Sequence, residues 1–199
     1  MEGTFILIMG PSGSGKGTLL SHIRKRFSEE AEVVFPVSCT TRAIRPGEKD
    51  GETYYFISRE EFNERINNDE FLEWAEYGGN LYGTLKSEIM SPLKDDLVVV
   101  REVEVQGVRS ILSIFPRPNL HLVYVDAGEW SDFEKRIKSR APIEDKELKE
   151  RQERYKDELS FREKADEVIS NRDGELGEAK KRMEKIVSSK LSDRVQRES

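Results

Sequence analysis

The chain has 199 residues, 36% hydrophobic and 36% charged, with a formal net charge of −6; that length suits one domain with a full core, or a core with small inserted lobes. An acidic balance disfavours a nucleic-acid backbone as partner, because binding phosphates along a strand needs Lys and Arg in surplus on one face. The single Cys39 excludes an internal disulfide framework and fits a reducing compartment.

The first apolar run, Thr4 to Met9, is too short for a membrane span or a signal segment and is not preceded by basic residues. The chain therefore reads as a cytoplasmic protein with no membrane partner. Ending at Gly10, the same run predicts a buried strand of a parallel sheet. Leu19, Leu20, Ile23 and Phe27 then recur at helical spacing, with Arg24, Lys25 and Arg26 outside. Val33 to Val37 predicts a second strand, 97–100 a third, 120–125 a fourth, and Val168–Ile169 a short fifth. Helical patterns cover 106–114, 131–140, 144–162 and 175–191. Strands alternating with helices imply an α/β fold, a parallel sheet covered on both faces. Residues 38–90 break the alternation and read as an inserted lobe with short strand-like pieces such as 53–57. Residues 129–162 carry many charges and read either as a solvated helix pair or as a lid whose arginines meet phosphates on closure.

Residues 10–18, GPSGSGKGT, fit the G-x-x-x-x-G-K phosphate loop in the strand-then-helix context it requires. Gly10, Pro11, Ser12, Gly13, Ser14, Gly15, Lys16, Gly17 and Thr18 are thus the candidate ATP-phosphate residues. Backbone N–H groups turn inward around phosphate oxygens, the helix N-terminus adds its positive end, and Lys16 supplies a point charge. Gly17 stands where a magnesium-binding hydroxyl is commonest, which displaces that hydroxyl to Thr18.

A second stretch, Ser38-Cys-Thr-Thr-Arg42-Ala-Ile-Arg45-Pro-Gly-Glu48, continuing to Tyr54-Tyr-Phe56, bears on the acceptor. Arg42 and Arg45 can converge on one phosphate, where planar guanidinium donors suit bidentate contacts better than lysine. Taken alone they read equally well as surface charges. Glu73, alone, reads as a helix-surface acid beside a buried Trp74, and Tyr82 as a packing aromatic.

Taken together, the loop GPSGSGKGT, SCTTRAIRPGEKDGETYYF, FLEWAEYGGNLYGT at 71–84 and Arg140 with Arg151 eleven residues on resemble the guanylate kinase family from about residue 3 to 190. The resemblance implies a P-loop core (3–37, 91–128 and 163–191), a GMP-binding lobe (38–90), a helical lid (129–162) and a polar tail (192–199). It further implies transfer of the ATP γ-phosphoryl to GMP, with dGMP as a further acceptor, by a monomer or small homo-oligomer. Ser38, Glu73 and Thr84 match positions that read guanine, and Arg42, Arg45, Tyr54 and Tyr82 match contacts to the GMP phosphate. Glu48 matches a carboxylate that orients the arginines. Arg136, Arg140 and Arg151 match lid arginines; with Lys16 and Arg42 they form the expected catalytic set. Asn171 matches the base end of the ATP site, and Mg²⁺ accompanying ATP is expected at Thr18 and Glu102, directly or through water.

The chain departs from the pattern in places. Arg101 replaces an apolar residue, Glu104 an aspartate, and Ala141-Pro142 the Gly-Thr of the lid. Two other readings are a kinase for another phosphorylated acceptor, such as a ribose bisphosphate, and a non-catalytic interaction module. Glu73 with both hydroxyls argues against the first, and an intact Lys16 against the second.

Overall fold

A computed structural model describes residues 3–115, 117–140 and 143–198. Six consecutive buried residues make β1 (Thr4–Met9) a central strand, and the phosphate loop joins it to α1 (Lys16–Arg26). β2 (Val33–Val34) is shorter than predicted. Pro36, two residues further on, has no N–H to give to a ladder, so pairing does not extend to the expected Val37.

The chain then leaves the first sheet. β3 (Cys39–Thr40), β4 (Tyr55–Phe56), α2 (Arg59–Asn67), β5 (Phe71–Tyr77) and β6 (Asn80–Leu85) form a separate unit, and α3 (Lys86–Lys94) leads back. β7 (Val98–Glu102), α4 (Val105–Ile114), β8 (Leu120–Asp126), α5 (Trp130–Arg140), α6 (Asp145–Leu159), β9 (Glu167–Ser170) and α7 (Leu176–Glu198) complete the order. The stretch expected to be a polar tail continues α7 as helix through residue 198.

The first sheet has the order β2-β7-β1-β8-β9, parallel throughout. Its two faces carry separate cores. Phe5, Leu7, Val99 and Val103 pack under α3 and α4, while Ile6, Ile8, Val98 and Val100 pack under α1 and α7. This is the predicted sheet covered on both faces, and it explains why its strands read as continuous apolar runs rather than alternating ones.

The second sheet has the order β4-β3-β6-β5 and its own small core of Cys39, Phe62, Phe71, Leu81 and Leu85. Phe62 stacks on Phe71 at 4.3 Å between ring centroids. Gly83 lies beneath them, where a Cβ would come within 2.8 Å of the Phe71 ring. Only glycine lets β6 run under this aromatic pair. β5 pairs with β6 across the Gly78-Gly79 turn, both residues at positive φ, and a bulge lies between Phe71 and Glu73. Glu73 therefore belongs to a strand, and Trp74 is 48% exposed, contrary to a helix with Trp74 buried.

Candidate active site

The phosphate loop takes its shape from three glycines at positive φ: Gly10, Gly13 and Gly15. A side chain at Gly15 would collide with the Asn171 amide. That amide donates to the Ser14 carbonyl at 2.7 Å, and the Asn171 backbone N–H donates to the Asp126 carbonyl at 2.7 Å. Asn171, expected at the base end of the ATP site, thus also clamps the loop from the end of β9. Lys16 is 8% exposed and its Nζ donates to the Gly10 carbonyl at 2.6 Å and the Pro11 carbonyl at 3.3 Å. Among the described residues no carboxylate hydrogen-bonds Lys16, so its charge belongs to the loop.

Two helices cover the loop. From α5, Phe133, Arg136 and Ile137 would all lie within 4 Å of a Cβ at Gly13. Arg136 Nη2 donates to the Asn171 carbonyl at 2.9 Å and to Asp173 Oδ1 at 2.8 Å. From α6, Arg151 Nη1 donates to Ser12 Oγ at 2.8 Å, while Nε and Nη2 donate to Glu147 Oε1 at 3.1 and 2.8 Å. Two of the three expected lid arginines therefore touch the loop or its clamp. The Arg140 side chain and Ala141-Pro142 lie outside the described residues. A cavity of about 270 Å³ opens beside the loop, lined by Gly15, Thr18, Arg136, Asn171, Gly174 and Leu176 among others.

The two residues expected at the metal are not joined by a hydrogen bond among the described residues. Glu102 approaches the loop at Gly17, where a Cβ would lie 3.5 Å from Oε2, whereas Thr18 lines the cavity. Among the described residues no group of three or more His, Cys, Asp and Glu could cage an ion. One carboxylate at a phosphate loop nevertheless suits a hard divalent cation that arrives with a triphosphate and keeps much of its water.

Sequence reasoning missed Glu158. It is 4% exposed on α6, and burial raises its carboxyl to about 7, with nearby Lys16 opposing the rise and Glu104 adding to it. The available signal was spacing. Seven residues beyond Arg151 is two helical turns, which returns to the face that meets the loop.

On the second sheet, Arg42 forks onto Glu48 through Nη1–Oε2 at 3.0 Å and Nη2–Oε1 at 2.8 Å. The Arg45 backbone N–H donates to the same Oε2 at 2.8 Å. The Arg42 contact, then the Arg45 N–H, hold the Glu48 carboxyl below its ordinary value; Glu48 in turn raises Arg42 above its own. The Arg42 guanidinium lies 5.6 Å from the ring centroids of both Tyr54 and Phe56, and Tyr82 packs edge-on to Tyr54. The Arg45 side chain is exposed and, among the described residues, makes no ion pair.

Glu73 and Thr84 are register partners across β5 and β6. Thr84, fully buried, donates its hydroxyl to Glu73 Oε1 at 2.6 Å. Arg101 Nη2 reaches that same oxygen at 3.0 Å. Ser38 is half-buried just before β3, and its carbonyl accepts from Tyr55 N–H at 2.8 Å.

A glycine loop between the first strand and first helix of a parallel sheet, closed over by arginine-bearing helices, defines a P-loop nucleotide-binding protein. The family model described as guanylate kinase matches residues 2–190. The guanylate kinase of Thermotoga maritima is 39% identical over 86% of this chain and 80% of its own. That of Trichormus variabilis is 38% identical over 87% of this chain and 85% of its own. The crystal structure of guanylate kinase from Anaplasma phagocytophilum superposes with a TM-score of 0.65 at 25% identity, covering 96% of this chain and 86% of that one. This chain belongs to the guanylate kinase family.

Proposed function

We propose that the protein transfers the γ-phosphoryl of ATP to the phosphate of GMP, and of dGMP as a further acceptor, giving ADP and the diphosphate. The observation that carries this reading is the half-buried Glu73. Thr84 and Arg101 occupy Oε1, and among the described residues no donor reaches Oε2. A carboxylate oxygen so left can accept from guanine N1–H and the exocyclic amine, a donor pair adenine does not offer together. Ser38 adds a hydroxyl for the remaining base edge. Thr84 acts chiefly by holding Glu73.

Arg42, Arg45, Tyr54 and Tyr82 supply the donors for the acceptor phosphate, and Glu48 keeps the Arg42 fork oriented. On the donor side, the loop from Gly10 to Thr18 grips the ATP phosphates, with Lys16, Arg136, Arg140 and Arg151 meeting charge that develops in transfer. In this reading 3–37, 91–128 and 163–191 form the core, 38–90 the acceptor lobe and 129–162 the lid. Glu102, with Thr18, would hold Mg²⁺ through its water shell, and the ion would neutralise charge on the β- and γ-phosphates.

The attacking acceptor oxygen is already anionic, so no strong base is required. Catalysis then rests on in-line positioning and charge neutralisation, and closure of the lid excludes water as a competing acceptor. A cytoplasmic location accords with such an activity, and no helix among the described residues is long and apolar enough to cross a membrane. The test is a coupled assay of ADP formation with GMP, dGMP, AMP and UMP. GMP and dGMP should be turned over far faster than the others; a preference for AMP or UMP overturns the assignment.

A further inference from the structure

We propose that Arg101 is a positioning residue for the acceptor base, tying Glu73 of the second sheet to the end of β7 and fixing which of its oxygens faces the cleft. The inference rests on the reading of Glu73 as the base-binding carboxylate.

Three observations carry it. Both donors that reach Glu73, the Thr84 hydroxyl and Arg101 Nη2, converge on Oε1. Two donors on one oxygen set the plane of the carboxylate and leave the other oxygen for a ligand. Glu73 also stands directly after the bulge in β5, a feature that re-aims the side chain beside it. Finally, among the described residues Arg101 forms an ion pair with Glu73 alone. Tyr54, Glu88 and Glu102 also act on it through charge. Of these, Glu88 already accepts from Val37 N–H and from the Tyr55 hydroxyl, and Glu102 projects to the opposite face of the sheet, beside Gly17.

Alternation along β7 gives the arrangement a further consequence. Arg101 lies between Val99 and Val103 on the face packed under α3 and α4, whereas Val98 and Val100 share the α1 and α7 face with Glu102. Consecutive residues of one strand thus reach the two sites, Arg101 the acceptor carboxylate and Glu102 the phosphate loop. The Arg101 side chain is 15% exposed and that of Glu73 25%. Burial pulls the guanidinium down from its usual range while Glu73 and then Glu102 oppose the fall. An ion pair this poorly solvated is weak evidence for stability, because desolvation offsets much of the attraction; its gain here is orientation.

The experiment compares Arg101→Leu and Arg101→Lys with the wild type in KM and kcat for both substrates, melting temperature, and discrimination between GMP and inosine monophosphate, which lacks the 2-amine. Arg101→Leu should raise the GMP KM about tenfold, the loss of one charged contact. Its kcat, ATP KM and melting temperature should stay near wild type, and the preference for GMP over inosine monophosphate should fall. Arg101→Lys should recover part of the loss. An unchanged or lower GMP KM in Arg101→Leu overturns the proposal, as does a parallel rise in both KM values with a lowered melting temperature. A wild-type enzyme that does not phosphorylate GMP overturns the functional reading instead.

Discussion

In the proposed reading, the phosphate loop and the second sheet, the acceptor side, solve the same problem, holding a phosphorylated purine nucleotide, by different means. The loop works through backbone: three glycines at positive φ turn amide groups inward, and nine consecutive residues contain nearly everything needed. The acceptor sheet works through side chains gathered from far apart. Glu73 on β5 meets Thr84 on β6 and Arg101 on β7, while Arg42 after β3 meets Glu48 in the following loop. A backbone cradle recognises charge and cannot tell one purine triphosphate from another. Selectivity must come from the assembled side, where each polar group has a direction.

This division sets the size of each expected effect. Lys16→Ala should be the most severe, lowering kcat about 1000-fold with GMP affinity by isothermal titration nearly unchanged. Loss of GMP binding in that variant would break the separation of the two sites. Glu73→Gln should raise the GMP KM about 100-fold, because an amide presents a donor where a charged acceptor stood; the ATP KM should hold.

Glu158 tests the donor side through pH. Its carboxyl is raised to about 7 in the folded state, so between its ordinary unfolded value and 7 the folded protein holds the extra proton. Stability from this group therefore falls as pH rises through that window and levels off above it. Glu158→Gln removes the penalty, and should be more stable than wild type at pH 8 by about 2 kcal/mol while losing that advantage near pH 4. Parallel denaturation curves at the two pH values check this, and an equal difference at both would contradict it. The smallest effect is expected for Glu48→Gln. The Arg42 fork loses its charged partner, and the GMP KM should rise about tenfold at unchanged ATP KM.

The same contrast governs how much could be read in advance from the residues. The backbone of the loop was legible, because its conformation is encoded by closely spaced glycines at positive φ. The first sheet was legible too: strands buried on both faces leave apolar runs such as Val98–Val100. The second sheet was visible only in fragments. The β5–β6 hairpin mixes a residue buried in the main core, Leu72, with the half-buried Glu73 and the exposed Trp74. No alternation survives there, and the turn at Gly78-Gly79 was not read in advance. α2 was not expected from the sequence, although its N-cap Ser58 accepts from Glu61 N–H at 3.0 Å. The sequence marked Arg101 as a departure but gave no sign that Glu73 is its partner, since 28 residues separate the two and they lie on different sheets. The approach of Glu102 to Gly17, and the Asn171 clamp on the loop, likewise depend on where distant strand ends come to rest.

The most direct measurement of the central claim is the ratio of kcat/KM for GMP to that for AMP, taken for the wild type and for Glu73→Gln, with the ATP KM from the same preparations. The account expects a strong wild-type preference for GMP that collapses in the variant while the ATP KM stays constant. A ratio that survives the substitution would show that guanine is selected elsewhere, and the division of labour between loop and sheet would not stand.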